Sequence, residues 1–415
     1  MPVLSWLRSC AAVLAFPLML AYMFLVLGGS IDGLEDNWTS ATVLAASAAV
    51  LAAGPVCAAA GAWEGARLAR GRVLDGAPAR GPLTVLTWSL LPLLGAAAVT
   101  LAAALGVTAA AMAGVPGLPD PFLVAVAALV ILAWTLAGFA AGRFLHPLVG
   151  VPLLLGVTWL WLSFPAALET FWVRHLTGNN LGFCCETDSV FRPGALAAQA
   201  TLAAGLAAAA CLAWARRSRR AWAGVAVLPL AAFAVAFPLV RDMGPEAQAP
   251  RAGGLACARL DGTGVCVWRE RERRLGAAAR LAVPAARRLA AGTGLPAPTL
   301  ITEGPAGGRA SWRFAVPPGA GEDEVLFALA TGLLPPEPPV CGPGWSGADA
   351  YRPVSAWLAR TAGAAPAPVA ARAGAEAADV AARVLARPAA EQAAWFRRNL
   401  AALTRCDAAP SEVTP

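Results

Sequence analysis

The sequence predicts an all-α polytopic membrane bundle of about seven transmembrane helices, followed by a small, mainly helical α+β domain. Long apolar blocks fill residues 1–242 and then stop. With 58% hydrophobic residues, 14% charged residues and a mean hydropathy of +0.61, the chain is too apolar for a wholly soluble protein. We therefore divide it into a transmembrane domain (1–242), a Pro/Gly-rich linker (243–254) and a terminal domain (255–415).

Seven apolar segments are long enough to cross a bilayer, since a spanning helix needs about 20 mostly apolar residues. They lie near residues 9–28, 41–62, 83–106, 122–142, 147–167, 195–214 and 221–240. The first segment also has features of a signal peptide, because Arg8 precedes an apolar run that ends in small residues. Its apolar run is longer than a usual signal-peptide core, so we treat it as a span.

The orientation follows from the arginines, since cytoplasmic loops collect positive charge. Alternate connections carry Arg8, then Arg67, Arg70, Arg72 and Arg80, then Arg143, then Arg216, Arg217, Arg219 and Arg220. The other connections carry mainly acids, namely Asp32, Glu35, Asp36, Asp120, Glu169, Glu186 and Asp188. We expect a multi-pass protein of the cell membrane, with a cytoplasmic N-terminus and an extracytoplasmic disulfide-bonded α+β domain at 255–415. One miscounted span would move that domain to the cytoplasm.

The predicted spans contain few polar side chains. Glu64 is expected to be interfacial, at the end of the second span, and Gln199 in the sixth span is expected to serve helix packing. This scarcity argues against a proton- or sodium-coupled carrier, which needs ionisable groups at membrane depth. The long loop at 169–194 carries Phe171 and Trp172, which predict that it lies on the bilayer surface or under the terminal domain.

Six cysteines fall on the predicted outer side, an even number in an oxidising compartment where disulfides persist. They are Cys184, Cys185, Cys257, Cys266, Cys341 and Cys406. Cys257 and Cys266 flank an Asp-Gly turn, which predicts a hairpin closed by a disulfide, and Cys341 would then pair with Cys406. The partners of the adjacent Cys184 and Cys185 stay open. The chain has two histidines, so we predict no metal site and no cofactor.

The terminal domain has short predicted elements and no motif of an enzyme. Helices are expected from 269 toward 291 and at 321–334, 351–362, 369–386 and 389–405, with strands at 299–302 and 312–316. A nucleophile elbow, a phosphate loop and a dinucleotide fingerprint are all missing from the sequence, so we predict neither an enzyme nor an ATPase. Topology accounts for much of the net charge of +7, which leaves no reason to expect a nucleic-acid partner.

Several short motifs carry a resemblance. A polytopic half is followed by Val265-Cys266-Val267-Trp268 with charged residues and a helix, and then by 333–341 and Ser355-Ala356-Trp357-Leu358. In this order of its segments the chain resembles actinobacterial membrane proteins associated with ABC transporters. Their C-terminal domain is itself uncharacterised. In those relatives Pro-Glu-His usually follows the Trp, whereas this chain has Arg269-Glu270-Arg271. The resemblance implies a permease or accessory subunit, with ATP hydrolysed by a separate cytoplasmic protein.

The leading interpretation is therefore a permease-like or accessory subunit of an ABC-type export or self-protection system. Its candidate ATPase-contact loop runs from Glu64 to Gly81, with Glu64, Arg67, Arg70 and Arg72, and residues 66–73 are expected to form a short basic helix. A loop kept basic only for topology fits the same residues equally well. The alternatives are a membrane-anchored extracytoplasmic binding or sensing module without transport, and a membrane enzyme acting on lipid or cell-wall material. The partners expected are the lipid bilayer, a separate ABC ATPase and, in an oligomer, like or unlike subunits. The sequence does not give the substrate, the direction of transport or the oligomeric state.

Overall fold

In the computed structural model the chain forms two compact units, Met1–Arg251 and Ala252–Pro415. The structure describes residues 10–72, 81–182, 184–215, 218–305, 308, 310–316, 319–335, 339–341 and 345–413. Four of the predicted topogenic arginines, Arg8, Arg80, Arg216 and Arg217, lie outside these residues.

The first unit is a helical bundle. Its helices are α1 (Ala12–Gly28), α2 (Trp38–Arg70), α3 (Pro82–Ala111), α4 (Pro121–Gly142), α5 (Pro147–Ser163), the short α6 (Phe171–Arg174), α7 (Pro193–Ala215) and α8 (Arg219–Val240). Within the described residues, six helices are long and apolar enough to cross a membrane: α2, α3, α4, α5 with the 3-10 turn that follows it, α7 and α8. The α1 helix is apolar but has 17 residues, and it would rise about 26 Å.

The α2 helix is the centre of this bundle. In its most apolar stretch 94% of the residues are buried, whereas 17% are buried in the corresponding stretch of α8. Helices α1, α3, α4 and α5 all pack on α2. Alanine and glycine dominate its sequence, so neighbouring helices approach it closely. With 33 residues, the α2 helix is about 50 Å long, which exceeds the thickness of the hydrocarbon core of a bilayer.

The closest approach is between α2 and α4, at two pairs of glycines spaced four residues apart. A Cβ built at Gly138 or Gly142 of α4 would overlap the backbone carbonyl of α2, and one at Gly65 of α2 would overlap Phe139 O. At Gly61 it would lie 2.6 Å from Thr135 O. Because the contacting positions increase together along both helices, α2 and α4 run parallel. This leaves α3 to return in the opposite direction between them.

One end of the bundle collects arginines. The N–H of Ala11, at the start of α1, donates to Glu64 Oε1 near the end of α2 over 2.8 Å. Trp214 at the end of α7 donates from Nε1 to Pro82 O at the start of α3 over 2.9 Å. The guanidinium of Arg143, just after α4, donates to the carbonyl of Trp214. The described arginines that the sequence assigned to one side thus lie at one end, which we call the arginine end.

The opposite end, here the acidic end, joins the other set of connections. Asn37 Nδ2 donates to Glu186 O over 3.0 Å, and Thr187 Oγ1 donates to Glu35 Oε2 over 2.9 Å. Strand β1 (Ser189–Phe191) pairs antiparallel with β2 (Gln248–Pro250), a segment inside the predicted linker. The chain after α8 is therefore tied to the loop between α5 and α7.

The second unit is an α+β fold with one mixed sheet. Strands β3 (Leu255–Leu260), β4 (Thr263–Trp268), β5 (Leu300–Thr302) and β6 (Ser311–Arg313) lie in that order, with β3 and β4 antiparallel and the remaining pairs parallel. Its helices are α9 (Leu275–Thr293), α10 (Glu322–Thr331), α11 (Tyr351–Ala362), α12 (Pro366–Ala373), α13 (Ala375–Leu385) and α14 (Ala389–Thr404). Trp357, Trp395 and Phe396 are fully buried and in ring contact at the helical side of its core.

The predicted hairpin is present, with Cys257 directly opposite Cys266. Asp261 and Gly262 both have positive φ in its two-residue turn, as a type I′ turn requires. Disulfides join Cys257 to Cys266 and Cys341 to Cys406, with Cα atoms 4.1 and 5.5 Å apart, and Cys184 is joined to Cys185.

Two local predictions were wrong. The helix expected at 369–386 is split into α12 and α13, because Gly374 adopts a φ of 94°, outside the helical region. The helix expected from Arg269 begins as a 3-10 turn over Arg269–Arg274 and becomes α-helical at Leu275.

The glycine contact between α2 and α4 gives a stability prediction. We expect Gly138→Ala to destabilise the folded chain by roughly 1–3 kcal/mol, because the new methyl group meets backbone that cannot move aside independently. The measurement is the midpoint of thermal unfolding in detergent, followed by fluorescence-detected size exclusion. Gly156→Ala on α5 is the matched control, since a Cβ there meets nothing within 4 Å and alanine favours a helix. Equal midpoints for the two variants would contradict the close approach.

Candidate functional site

The predicted ATPase-contact residues lie at the arginine end of α2, around a buried carboxylate. Glu64 is fully buried; its Oε1 accepts the Ala11 N–H and its Oε2 lies 2.6 Å from Arg67 Nη2. The Arg67 side chain is about 42% exposed, so it neutralises Glu64 while reaching solvent. One carboxylate therefore holds the start of α1 against the end of α2, which an interfacial residue exposed to water would not do.

The arginines beyond Glu64 continue the same helix. The separate basic helix expected at 66–73 is not formed, since α2 runs without a break to Arg70, and Val73 lies outside the described residues. Arg70 donates from Nε to Ala66 O over 3.3 Å, one turn back. Arg72 follows with a φ of 46°, so the chain turns away from the helix axis there. The four predicted residues are thus brought together at one helix end.

A second site lies near the acidic end, and the sequence did not point to it. The loop over residues 175–182, which we call the polar loop, enters the bundle between α2, α5 and α7. Its backbone and side chains hydrogen-bond to Ser47, Leu162 and Gln199 on those three helices. Ser47 lies about 13 Å along α2 from Trp38, so the loop descends well below the helix ends. The sequence predicted that this loop lies on the bilayer surface or under the terminal domain, and the structure shows residues 175–182 packed among the helices of the bundle.

The polar loop is anchored by paired amides. Gln199 Nε2 donates to Asn180 Oδ1 over 2.8 Å, and Asn180 Nδ2 donates back to Gln199 Oε1 over 3.3 Å. The Asn180 N–H donates to Ser47 Oγ over 3.1 Å, and Asn179 Nδ2 donates to Leu162 O over 2.9 Å. Irregular backbone among apolar helices needs protein or a cavity to cover its polar groups, and these bonds meet that requirement.

An apolar cavity of about 230 Å³ adjoins the polar loop. Its wall includes Trp134 of α4, Trp161 of α5 and Leu202 of α7, while Thr177 and Gln199 supply the polar part. The bundle thus contains an apolar space beside a polar, non-helical segment.

An arginine and a histidine close the outer part of the polar loop. Arg174 is buried beside the Phe171 ring and donates to Leu168 O over 2.7 Å and to Pro245 O over 3.3 Å. His175 is 1% exposed, and its Nε2 lies 2.8 Å from Gly244 O. Burial lowers the pKa of His175 from its ordinary value of 6.5, the Gly244 carbonyl raises it, and Arg174 and Arg192 lower it further. The imidazole is therefore neutral at pH 7 and donates to Gly244.

In the second unit a buried ion pair lies where the two central strands of the sheet, β4 and β5, end. Glu303, just after β5, accepts from Arg271 Nη1 over 2.8 Å, from the Val316 N–H over 2.7 Å and from the Trp268 N–H over 2.8 Å. The side chains of Glu303 and Arg271 are 2% and 5% exposed. Removal of either partner would leave the other charge buried and unpaired, which strongly destabilises a fold. We therefore assign this ion pair a structural role.

The sequence contained a partial signal for these sites. Gln199 in an apolar span was visible, but its partner Asn180 lies in a loop, and only the fold brings the two amides together. Over the described parts of the chain, no three His, Cys, Asp or Glu side chains gather as metal ligands.

His175 makes the stability of the chain depend on pH. Its folded-state pKa is below 6.5, so the unfolded state binds more protons in acid, and the contribution of His175 to stability is lost as the pH falls below about 6.5. Between about pH 7.5 and 5.5, the range in which histidine titrates, we expect the unfolding midpoint in detergent to fall less in His175→Gln than in the unsubstituted chain.

The control for this prediction is His146→Gln, which changes the other histidine at an exposed position. Burial and the neighbouring Asp188, Glu246 and Glu35 raise the pKa of Glu186, which has the opposite effect on stability in acid. Because Glu186 is present in every variant, it does not alter the comparison. An unchanged acid response in His175→Gln would contradict the assignment.

Comparison with protein families gives a match in the second unit. Residues 265–406, most of the second unit, match a family described as "Domain of unknown function (DUF7224)". No curated protein and no solved structure matches the chain.

Proposed function

We propose that the chain is a permease-like or accessory membrane subunit of an ABC-type export or self-protection system, and that a separate ATPase supplies its energy. The observation that carries this proposal is the polar loop, bonded to α2, α5 and α7 inside the helical bundle and bordered by an apolar cavity. A plain anchor needs only apolar helices. Irregular polar backbone between spans is typical of segments that line or gate a path.

The arginine end of α2 is the proposed ATPase contact. Glu64 fixes this end to α1, so a force applied at Arg67 or Arg70 acts on two helices rather than on a loose connection. The α2 helix is also the one on which four neighbours pack, so its displacement would reach the whole bundle. Such a subunit needs no catalytic residue, metal or cofactor of its own.

We base the proposed membrane topology on the arginines, which the sequence places in alternate connections. With α1 counted as a seventh span, a cytoplasmic arginine end puts Ala252–Pro415 on the extracytoplasmic side of the cell membrane. The three disulfides, which persist in an oxidising compartment, support that side. Lipid and the ATPase are the proposed partners, oligomerisation is compatible with the bundle, and nucleic acid is not proposed.

A specific observation also favours the alternative, a membrane-anchored binding or sensing module without transport. The second unit has its own aromatic core and two of the disulfides. A module of this kind would keep its activity when it is attached to an unrelated membrane span, whereas a permease would not.

The permease proposal predicts a stoichiometric ATPase partner. We expect gentle extraction from native membranes, followed by mass spectrometry, to recover an ABC-type ATPase with the tagged chain. Replacing Arg67, Arg70 and Arg72 by Glu reverses three charges at the proposed contact and should reduce that recovery by about tenfold or more, as for the loss of several interfacial charge pairs.

The matched control reverses three exposed arginines of the second unit, Arg280, Arg397 and Arg398. It should leave the recovery unchanged. Recovery of the chain without an ATPase, or equal loss in both triple variants, would reject the proposed contact and favour the anchored module.

A further inference from the structure

The second unit contains a cavity of about 610 Å³ between β6, α10, α11 and α12. Three arginines line it, Arg313 from β6, Arg352 from α11 and Arg372 from α12, and they come from distant parts of the sequence. Among the lining residues that the structure describes, none is acidic. The fold therefore gathers three arginine side chains around one concave space.

The other wall of the cavity is largely apolar. Phe314 and Leu334 are buried there, and the Phe327 ring lies beneath the guanidinium of Arg372, 4.9 Å from Cζ to the ring centroid. Tyr351 adds a ring that is 44% exposed. Stacking on Phe327 restrains the Arg372 fork, so less freedom is lost when it binds a ligand.

The nearest competing carboxylate is weakly engaged. Glu324 lies 4.0 Å from Arg372, with both side chains about half exposed, and such surface pairs contribute about 0–1 kcal/mol. Glu324 also accepts the Gly321 N–H at the start of α10 over 3.0 Å, which holds it at its own helix. It leaves Arg372 able to bind a second anion.

The close packing of α10 on β6 shapes the cavity. A Cβ built at Gly332 would overlap Arg313 O, so only glycine lets the end of α10 lie against the strand that carries Arg313. Ser355, 2% exposed, donates to Tyr351 O over 2.7 Å, and its oxygen still has capacity to accept a hydrogen bond.

We propose that this cavity binds a small organic anion, with its phosphate or carboxylate group held by Arg352 and Arg372 and its apolar part against Phe314, Phe327 and Tyr351. Arginine forks match the two oxygens of either anionic group. The volume lies within the usual range for small-molecule sites. This site is independent of the permease proposal, since an anchored module could carry it equally well.

The test is a calorimetric titration of the detergent-solubilised full chain with phenyl phosphate and with benzoate, which represent the two anionic groups. We expect saturable binding of at least one of them at one site per chain. Arg352→Gln and Arg372→Gln should each weaken it by about tenfold or more, because each removes a charge-assisted hydrogen-bond donor.

Three controls make the result decisive. Arg280→Gln removes an exposed charge on α9 outside the cavity and should leave binding unchanged. Inorganic phosphate and benzyl alcohol, which carry the anionic and the apolar part alone, should each bind more weakly than phenyl phosphate. The unfolding midpoint of each variant shows whether the domain is intact.

The proposal is overturned if neither probe binds saturably up to about 10 mM. It is also overturned if Arg280→Gln weakens binding as much as Arg352→Gln, since the effect would then come from net charge. Equal affinity for benzyl alcohol would reject the role of the arginines. Equal affinity for inorganic phosphate would reject the role of the aromatic wall.

Discussion

The membrane unit depends on the backbone contact between α2 and α4 at Gly61, Gly65, Gly138 and Gly142. Lipid tails are as apolar as leucine, so burial of apolar surface gives helices little reason to associate, and close van der Waals contact must supply the energy. The glycines allow that contact. They make α2 the buried centre, they set α2 and α4 parallel, and they bring the arginines that follow both helices to one end. The charge asymmetry of the bundle is thus a consequence of how two helices pack.

The polar loop follows from the same packing. A bundle arranged closely around α2 leaves a gap between α2, α5 and α7, and the chain fills it with residues 175–182 rather than with a lipid-facing surface. Each polar group there must find a partner, because an unpaired one costs several kcal/mol in hydrocarbon. Asn180 and Gln199 meet this requirement through each other, so neither residue is replaceable alone. The pair ties a loop to a spanning helix.

Patterns that depend on local sequence were sufficient for much of the fold. Apolar length predicted the six long apolar helices of the first unit and the shorter α1 to within several residues, and the Asp261-Gly262 turn predicted the hairpin with its Cys257–Cys266 disulfide. The break at Gly374 was missed, because glycine within a run of alanines is compatible with either a helix or its end. The polar loop and the arginine cavity were missed for a different reason. Their residues are far apart in the chain, and no period or spacing connects Arg313 with Arg372.

Position 271 shows what the local sequence does not reveal. In the sequence Arg271 is one of six consecutive charged residues, 269–274. In the fold, Arg271 is buried and donates to Glu303, whose carboxylate also accepts two backbone N–H groups from the ends of neighbouring segments. This environment requires an N–H donor facing a buried carboxylate, and the guanidinium of Arg271 supplies one. The Glu303 carboxylate therefore joins β4, β5 and the segment after β6 through one set of buried hydrogen bonds. Neighbours in sequence could not show this joint, because Glu303 and Val316 lie far along the chain from Arg271.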